Sequence, residues 1–242
     1  MTGTFMERKK TYYGVSIGIL MVKSSFCRFR GDVGNAQTFP FPVQYRIVEE
    51  AVPARITELH HISLLEPFKR AADELVEGGV DGIATTCGFL SIYQRELADH
   101  CGVPVATSSL LQVPMVERML PSNKRVGILT YDGQALKGPY LEAVGILPDT
   151  PIVGMPRSSH FVRSIREGNN SVSFATLQQE VVAAAVSLYE KHPQVGAIVC
   201  ECTNLAPFSN DIHRTLGLPV FDAVSMINQF HAGLCPPRFE NP

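Results

Sequence analysis

Two of the six cysteines in this 242-residue chain are placed as a pair. Cys87 lies in Thr85-Thr86-Cys87-Gly88-Phe89 and Cys202 in Glu201-Cys202-Thr203-Asn204, 115 positions apart. Each follows a short apolar run and precedes a helical pattern. Each sulfur is therefore expected at the carboxyl end of a parallel strand, beside a helix N-terminus. Unpaired N–H groups and the positive end of the helix dipole favour a thiolate there, and the same N–H groups can hold a carboxylate. Two such thiols facing one cleft could take a proton from one side of a carbon and return one to the other. The remaining cysteines, Cys27, Cys101, Cys200 and Cys235, read as small buried hydrophobes. A site built from Cys200, Cys202 and His213 lacks paired zinc spacing, so no metal is expected.

The elements that must hold this pair are legible as a repeat. Gly102-Val103-Pro104-Val105 and Gly217-Leu218-Pro219-Val220 are also 115 positions apart, as are Val80 and Val195, and Ile83 and Ile198. Ile17-Gly18-Ile19-Leu20 has a counterpart in Val126-Gly127-Ile128-Leu129. Strands are expected at 15–21, 82–86, 103–106, 125–129, 197–200 and 219–221. They are continuous apolar runs, as in parallel sheets covered on both faces. Between them lie amphipathic stretches. Leu65, Phe68, Ala72, Leu75 and Val76 form one apolar stripe, and Val181, Ala184, Ala185 and Leu188 form another. The alternation gives an α/β protein, and the repeat gives it two halves with the same order of elements. We expect a first lobe over 14–108 and a second over 109–218, with 219–235 packing back on the first. The proline-rich 39–43 reads as a surface loop and Asp132-Gly133 as a turn. His60 and His61, ahead of a helical stretch, read as surface residues.

Composition removes several classes. Hydrophobic residues make up 45% of the chain and charged residues 18%, too apolar for general disorder. The formal net charge of −2 offers no basic footprint for nucleic acid. No apolar run approaches the roughly 20 residues of a membrane span. Glu7-Arg8-Lys9-Lys10 precedes an apolar run, but Lys23 follows it and no small-residue cleavage site is apparent, so a strand is the better reading. With reduced thiols and no leader recognised, a cytoplasmic protein is expected. A nucleophile elbow and a phosphate-binding loop are both missing, and Gly31-x-x-Gly34 lacks dinucleotide spacing.

The Thr-Thr-Cys-Gly-Phe and Glu-Cys-Thr-Asn segments, with the Val-Gly-Ile-Leu-Thr strand, resemble the aspartate/glutamate racemase superfamily. That group also holds hydantoin racemase, maleate isomerase and arylmalonate decarboxylase. The resemblance runs from about Gly14 to Phe230. It implies two similar Rossmann-like lobes related by a pseudo-twofold axis, a site between them, and catalysis without pyridoxal phosphate, metal or other cofactor. By position it makes Cys87 and Cys202 the catalytic pair. Thr86, Gly88, Phe89, Thr203 and Asn204 then fall in the carboxylate-holding segments, and Thr130 and Tyr131 in the second-lobe binding loop. The loop over 24–35 departs from the Gly-rich or Asp-Ser pattern of amino-acid racemases. Within it Arg30 is the candidate for a second carboxylate, and Asn35 is a further binding candidate.

The first expectation is thus a cofactor-independent racemase of an α-amino acid or related small carboxylate. A cis-trans isomerase or decarboxylase of small dicarboxylates on the same fold is the alternative. A two-lobed binding protein without catalysis is the third. Neither nucleic acid nor membrane is an expected partner, and a homo-oligomer is the default assembly.

Overall fold

The structure is a computed structural model that describes residues 13–58 and 63–239. His60, His61 and the 7–10 segment lie outside those residues. Among the described residues, eight strands form two four-stranded sheets. The first holds β1 (Ile17–Val22), β2 (Val43–Val48), β3 (Gly82–Thr85) and β4 (Val105–Ala106) in the order β2-β1-β3-β4. The second holds β5 (Arg125–Thr130), β6 (Ile152–Gly154), β7 (Val195–Cys200) and β8 (Val220–Phe221) in the order β6-β5-β7-β8. Every pairing is parallel. The central strands β1, β3, β5 and β7 are almost wholly buried, which is why their sequences are continuous apolar runs.

Two strands were not legible as apolar runs. β2 is an edge strand, partly exposed along most of its length, and its Gln44 and Arg46 interrupt any apolar run. It begins at Val43, inside the stretch expected to be a surface loop. Phe39 and Phe41 of that stretch stack on one another, and Phe41 stacks on His231 at 3.8 Å between ring centroids. β6 is the opposite edge case, three residues long and ending in Gly154.

The 115-residue repeat is a repeat of elements. After β3 come a 3-10 helix over Gly88–Tyr93 and an α-helix over Gln94–Cys101. After β7 come a 3-10 helix over Thr203–Phe208 and an α-helix over Ser209–Leu216. Both α-helices stop at a left-handed glycine, Gly102 at φ 61° and Gly217 at φ 67°. A Cβ is strained in that conformation, so glycine is the natural helix stop.

The lobes exchange their last helices. Ala223–Leu234 packs against β3 of the first sheet, with Ala223, Met226 and Ile227 buried against Ile17, Ile19 and Ala84. Val113–Met119 packs against β5 of the second sheet, burying Val113 and Val116 with Val126 and Ile128. The expectation that 219–235 returns to the first lobe as a unit needs correction. β8 stays in the second sheet because its backbone continues the ladder from β7, and the helix after it makes the crossing.

Candidate active site

In each sheet the chain leaves the central strand for one neighbour and returns on its other side. Crevices open there at the carboxyl ends of the strands, where ligands bind in open α/β sheets. Val22 and Ser24 come from the end of β1, and Thr86 and Cys87 from the end of β3. Tyr131 follows β5, and Glu201 and Cys202 follow β7. All of these line one cleft, which Arg28, Gly88, Phe89 and Asn204 help to close. About 510 Å³ of space free of protein atoms, open solvent included, lies between these residues.

Cys87 and Cys202 hold equivalent places. Each is the extended residue that caps a 3-10 helix, and each is partly buried. Thr85 shapes the first turn: its Oγ1 donates to the Thr107 carbonyl at 2.6 Å and accepts from the Cys87 N–H at 3.2 Å. Backbone N–H groups of Phe89 and Leu90 aim at the Cys87 sulfur, and that of Asn204 at the Cys202 sulfur. The Cys202 thiol donates to Asn204 Oδ1 at 3.4 Å, and Asn204 Nδ2 donates to Asp32 Oδ2 at 2.5 Å. Asp32 in turn accepts from Arg28 Nη1 at 2.7 Å.

The expectation of thiolates favoured by helix termini is corrected by the surroundings. Burial pushes both thiols above the ordinary range, and the charge of Glu201 adds to the rise at each. The backbone N–H groups pull the other way without offsetting it. Arg28 also lowers Cys87.

Glu201 is the group that sequence reasoning passed over. Its side chain is 1% exposed. Oε2 accepts from Thr130 Oγ1 at 2.6 Å, while Oε1 has no hydrogen-bond partner. Burial pushes this carboxyl up to about 7, against the pull of Thr130 and the Tyr131 N–H. A charged residue ending an otherwise apolar strand, next to a candidate cysteine, was the available signal.

The other expected residues divide. Thr86, Gly88, Phe89, Tyr131 and Asn204 line the cleft. Thr130 is fully buried behind it, on Glu201. Thr203 Oγ1 donates to the Thr86 carbonyl at 2.8 Å and ties the lobes together. Arg30 is exposed and outside the cleft; Arg28, four residues before Asp32 in the loop, takes the inward place. Asn35 serves the loop, donating to the Arg28 carbonyl and accepting from the Gln37 N–H. The loop over 24–35 is therefore not a solvated excursion: Asp32 is 2% exposed, and Gly34 leaves room for the Arg28 side chain. Cys101 and Cys200 are buried as expected, whereas Cys27 and Cys235 are exposed because they sit on a loop and at a helix end.

Comparison with solved structures follows from this geometry. The chain superposes on unliganded arylmalonate decarboxylase with a TM-score of 0.63 at 14% identity, covering 94% of this chain and 95% of that one. Allantoin racemase from Pseudomonas fluorescens gives a TM-score of 0.57 at 12% identity, covering 94% and 99%. The fold is the one these two enzymes share, as the resemblance implied. Sequence comparison brings in a different set of proteins. No family model matches it. A dimethylsulfoniopropionate lyase of Durusdinium sp. clade D is 29% identical, over 97% of this chain and 83% of that protein. Dimethylsulfoniopropionate lyase 3 of Emiliania huxleyi is 30% identical over 93% of this chain, which spans only 61% of that protein. The similarity is thus to enzymes, along nearly the whole chain. It overturns the expected amino-acid racemase: the related proteins are lyases, which favours the alternative of an isomerase or decarboxylase on the same fold over the racemase, while naming neither small dicarboxylates nor isomerisation.

Proposed function

We propose that this protein is a lyase that cleaves dimethylsulfoniopropionate or a close sulfonium carboxylate. The observation that carries the reading is the similarity to the Durusdinium lyase along 97% of the chain. The cleft supplies chemistry that suits it. Such a substrate has a carboxylate at one end and a dimethylsulfonium at the other. Elimination needs one base for the carbon next to the carboxylate. As that proton leaves, the C–H electrons form the double bond, the bond to sulfur breaks, and dimethyl sulfide departs with the electron pair. Acrylate remains, and the proton stays on the base.

In this reading Cys87 and Cys202, which both line the cleft, act on that carbon, one as base and the other as a thiol facing the same substrate. The Arg28 guanidinium gives the carboxylate end a positive neighbour. Val22, Ile56 and Ile165 give an apolar wall for the methyl groups, and the Tyr131 ring gives the sulfonium a π face. The Tyr131 hydroxyl donates to the Val162 carbonyl at 3.5 Å. The test is to incubate purified protein with dimethylsulfoniopropionate, reading dimethyl sulfide by headspace gas chromatography and acrylate by liquid chromatography. Equimolar release of both is expected. A folded protein that releases neither would contradict the proposal.

A further inference from the structure

Glu201 is an acid with no stated task in the elimination, and its place is unusual. It follows β7 in the second lobe, yet its carboxyl reaches the first-lobe turn that carries Cys87. A Cβ added to Gly88 would overlap both Glu201 Oε1 and the Glu201 carbonyl oxygen. Glycine at this position thus leaves the room the carboxyl occupies. The same side chain is the immediate neighbour of Cys202, and it lines the cleft with both thiols. One oxygen is held by Thr130, the other is buried without a partner. An ionised carboxylate with a bare buried oxygen is costly, and a thiolate alongside raises that cost.

We propose that Glu201 is a positioning residue that tunes the charge state of the cysteine pair, its carboxyl buried between Gly88 and Thr130 in the cleft wall that carries both sulfurs. With the carboxyl protonated, burial is left as the main opposition to a thiolate on the pair. With it ionised, both cysteines are held as thiols. This deepens the elimination proposed above, which needs one cysteine as base.

The surrounding charges are few. Arg28 favours a Cys87 thiolate, while Asp32 disfavours one at Cys202. Cys200, deeper in β7, feels Glu201 and Asp222 but not the cleft. Tyr131 faces Cys202 with Arg157, Arg166 and Asp132 around it. Glu201 is the acid that acts on both cleft thiols.

The test reads thiols directly. Alkylation of Cys87 and Cys202 by iodoacetamide is followed against pH by peptide mass spectrometry, in the full chain and in Glu201→Gln. The half-maximal pH of alkylation is expected to fall by about 1 unit or more in Glu201→Gln at both sites, and to return in Glu201→Asp. The exposed Glu167→Gln leaves it unchanged. Thr130→Val keeps the carboxyl but removes the donor that favours its ionised form, so it shifts the profile in the same direction. If Glu201→Gln does not fold, Thr130→Val alone decides. Coincident profiles in wild type and variants would overturn the proposal, even with dimethyl sulfide released normally. A shifted alkylation profile without any dimethyl sulfide would instead sustain it and remove the assigned reaction.

Discussion

Asp32 is the residue whose removal should reach furthest. Its carboxylate accepts from Arg28, from the Gly34 N–H and from Asn204, joining the irregular loop to the Cys202 turn. Both members of the Arg28–Asp32 pair are largely buried, with side-chain exposures of 13% and 3%. Asp32→Ala leaves a guanidinium unpaired in the cleft wall, expected to cost about 3 kcal/mol. A lower urea midpoint together with reduced turnover would check this. Glu201 gives a second residue-scale outcome. Its carboxyl is raised from 4.5 to about 7 in the folded chain. A carboxyl raised on folding contributes stability that is fully present below the unfolded value and lost as pH climbs through the folded one. Wild type is therefore expected to lose about 3 kcal/mol relative to Glu201→Gln between pH about 4.5 and about 7. Denaturant unfolding at both ends of that window measures it. The residue scale was also where sequence reading was least complete. Arg30 and Arg28 are equivalent in type, and only the turn made by Asp32 and Gly34 decides which one faces inward. Glu201 stood in a quoted segment, but its burial depends on Gly88 in the other lobe.

At the scale of elements, the cysteine turns were legible because a repeated strand–turn–helix unit leaves a repeated sequence. The spacing of 115 carries through both 3-10 helices, both α-helices and both left-handed glycines. Edge strands were not legible for a physical reason. A central parallel strand is covered on both faces, whereas β2 lies at the sheet edge and can carry an exposed Arg46, paired with Glu74. Gly88→Ala tests the contact between the two cysteine turns. The added methyl meets the Glu201 backbone as well as its side chain, so a rotamer change cannot relieve it. We expect a loss of about 1–3 kcal/mol and a marked loss of turnover. Near-normal activity in that variant would show that the turns are not held together as described.

At the scale of the molecule, two sheets are joined by exchanged helices and by bonds across the cleft. Thr203 reaches the Thr86 carbonyl, Ser109 reaches the Cys200 carbonyl at 2.7 Å, and Asn204 reaches Asp32. Neither lobe has a complete core without the other's helix. Unfolding is therefore expected as one transition, coincident in far-ultraviolet circular dichroism and tyrosine fluorescence, the chain having no tryptophan. Two separated transitions would contradict this. The two-lobed architecture and the cleft were readable from the repeat. The reaction was not, because the same pair of thiols suits proton exchange and elimination alike, and the substrate is selected by loop geometry.

The most direct measurement is the rate of dimethyl sulfide release by Cys87→Ala and by Cys202→Ala, beside wild type at equal thermal stability. Each substitution is expected to lower the rate by at least about 100-fold, the usual contribution of a placed proton-transfer group. Release within a few-fold of wild type in either variant would contradict a cleft that works through both sulfurs.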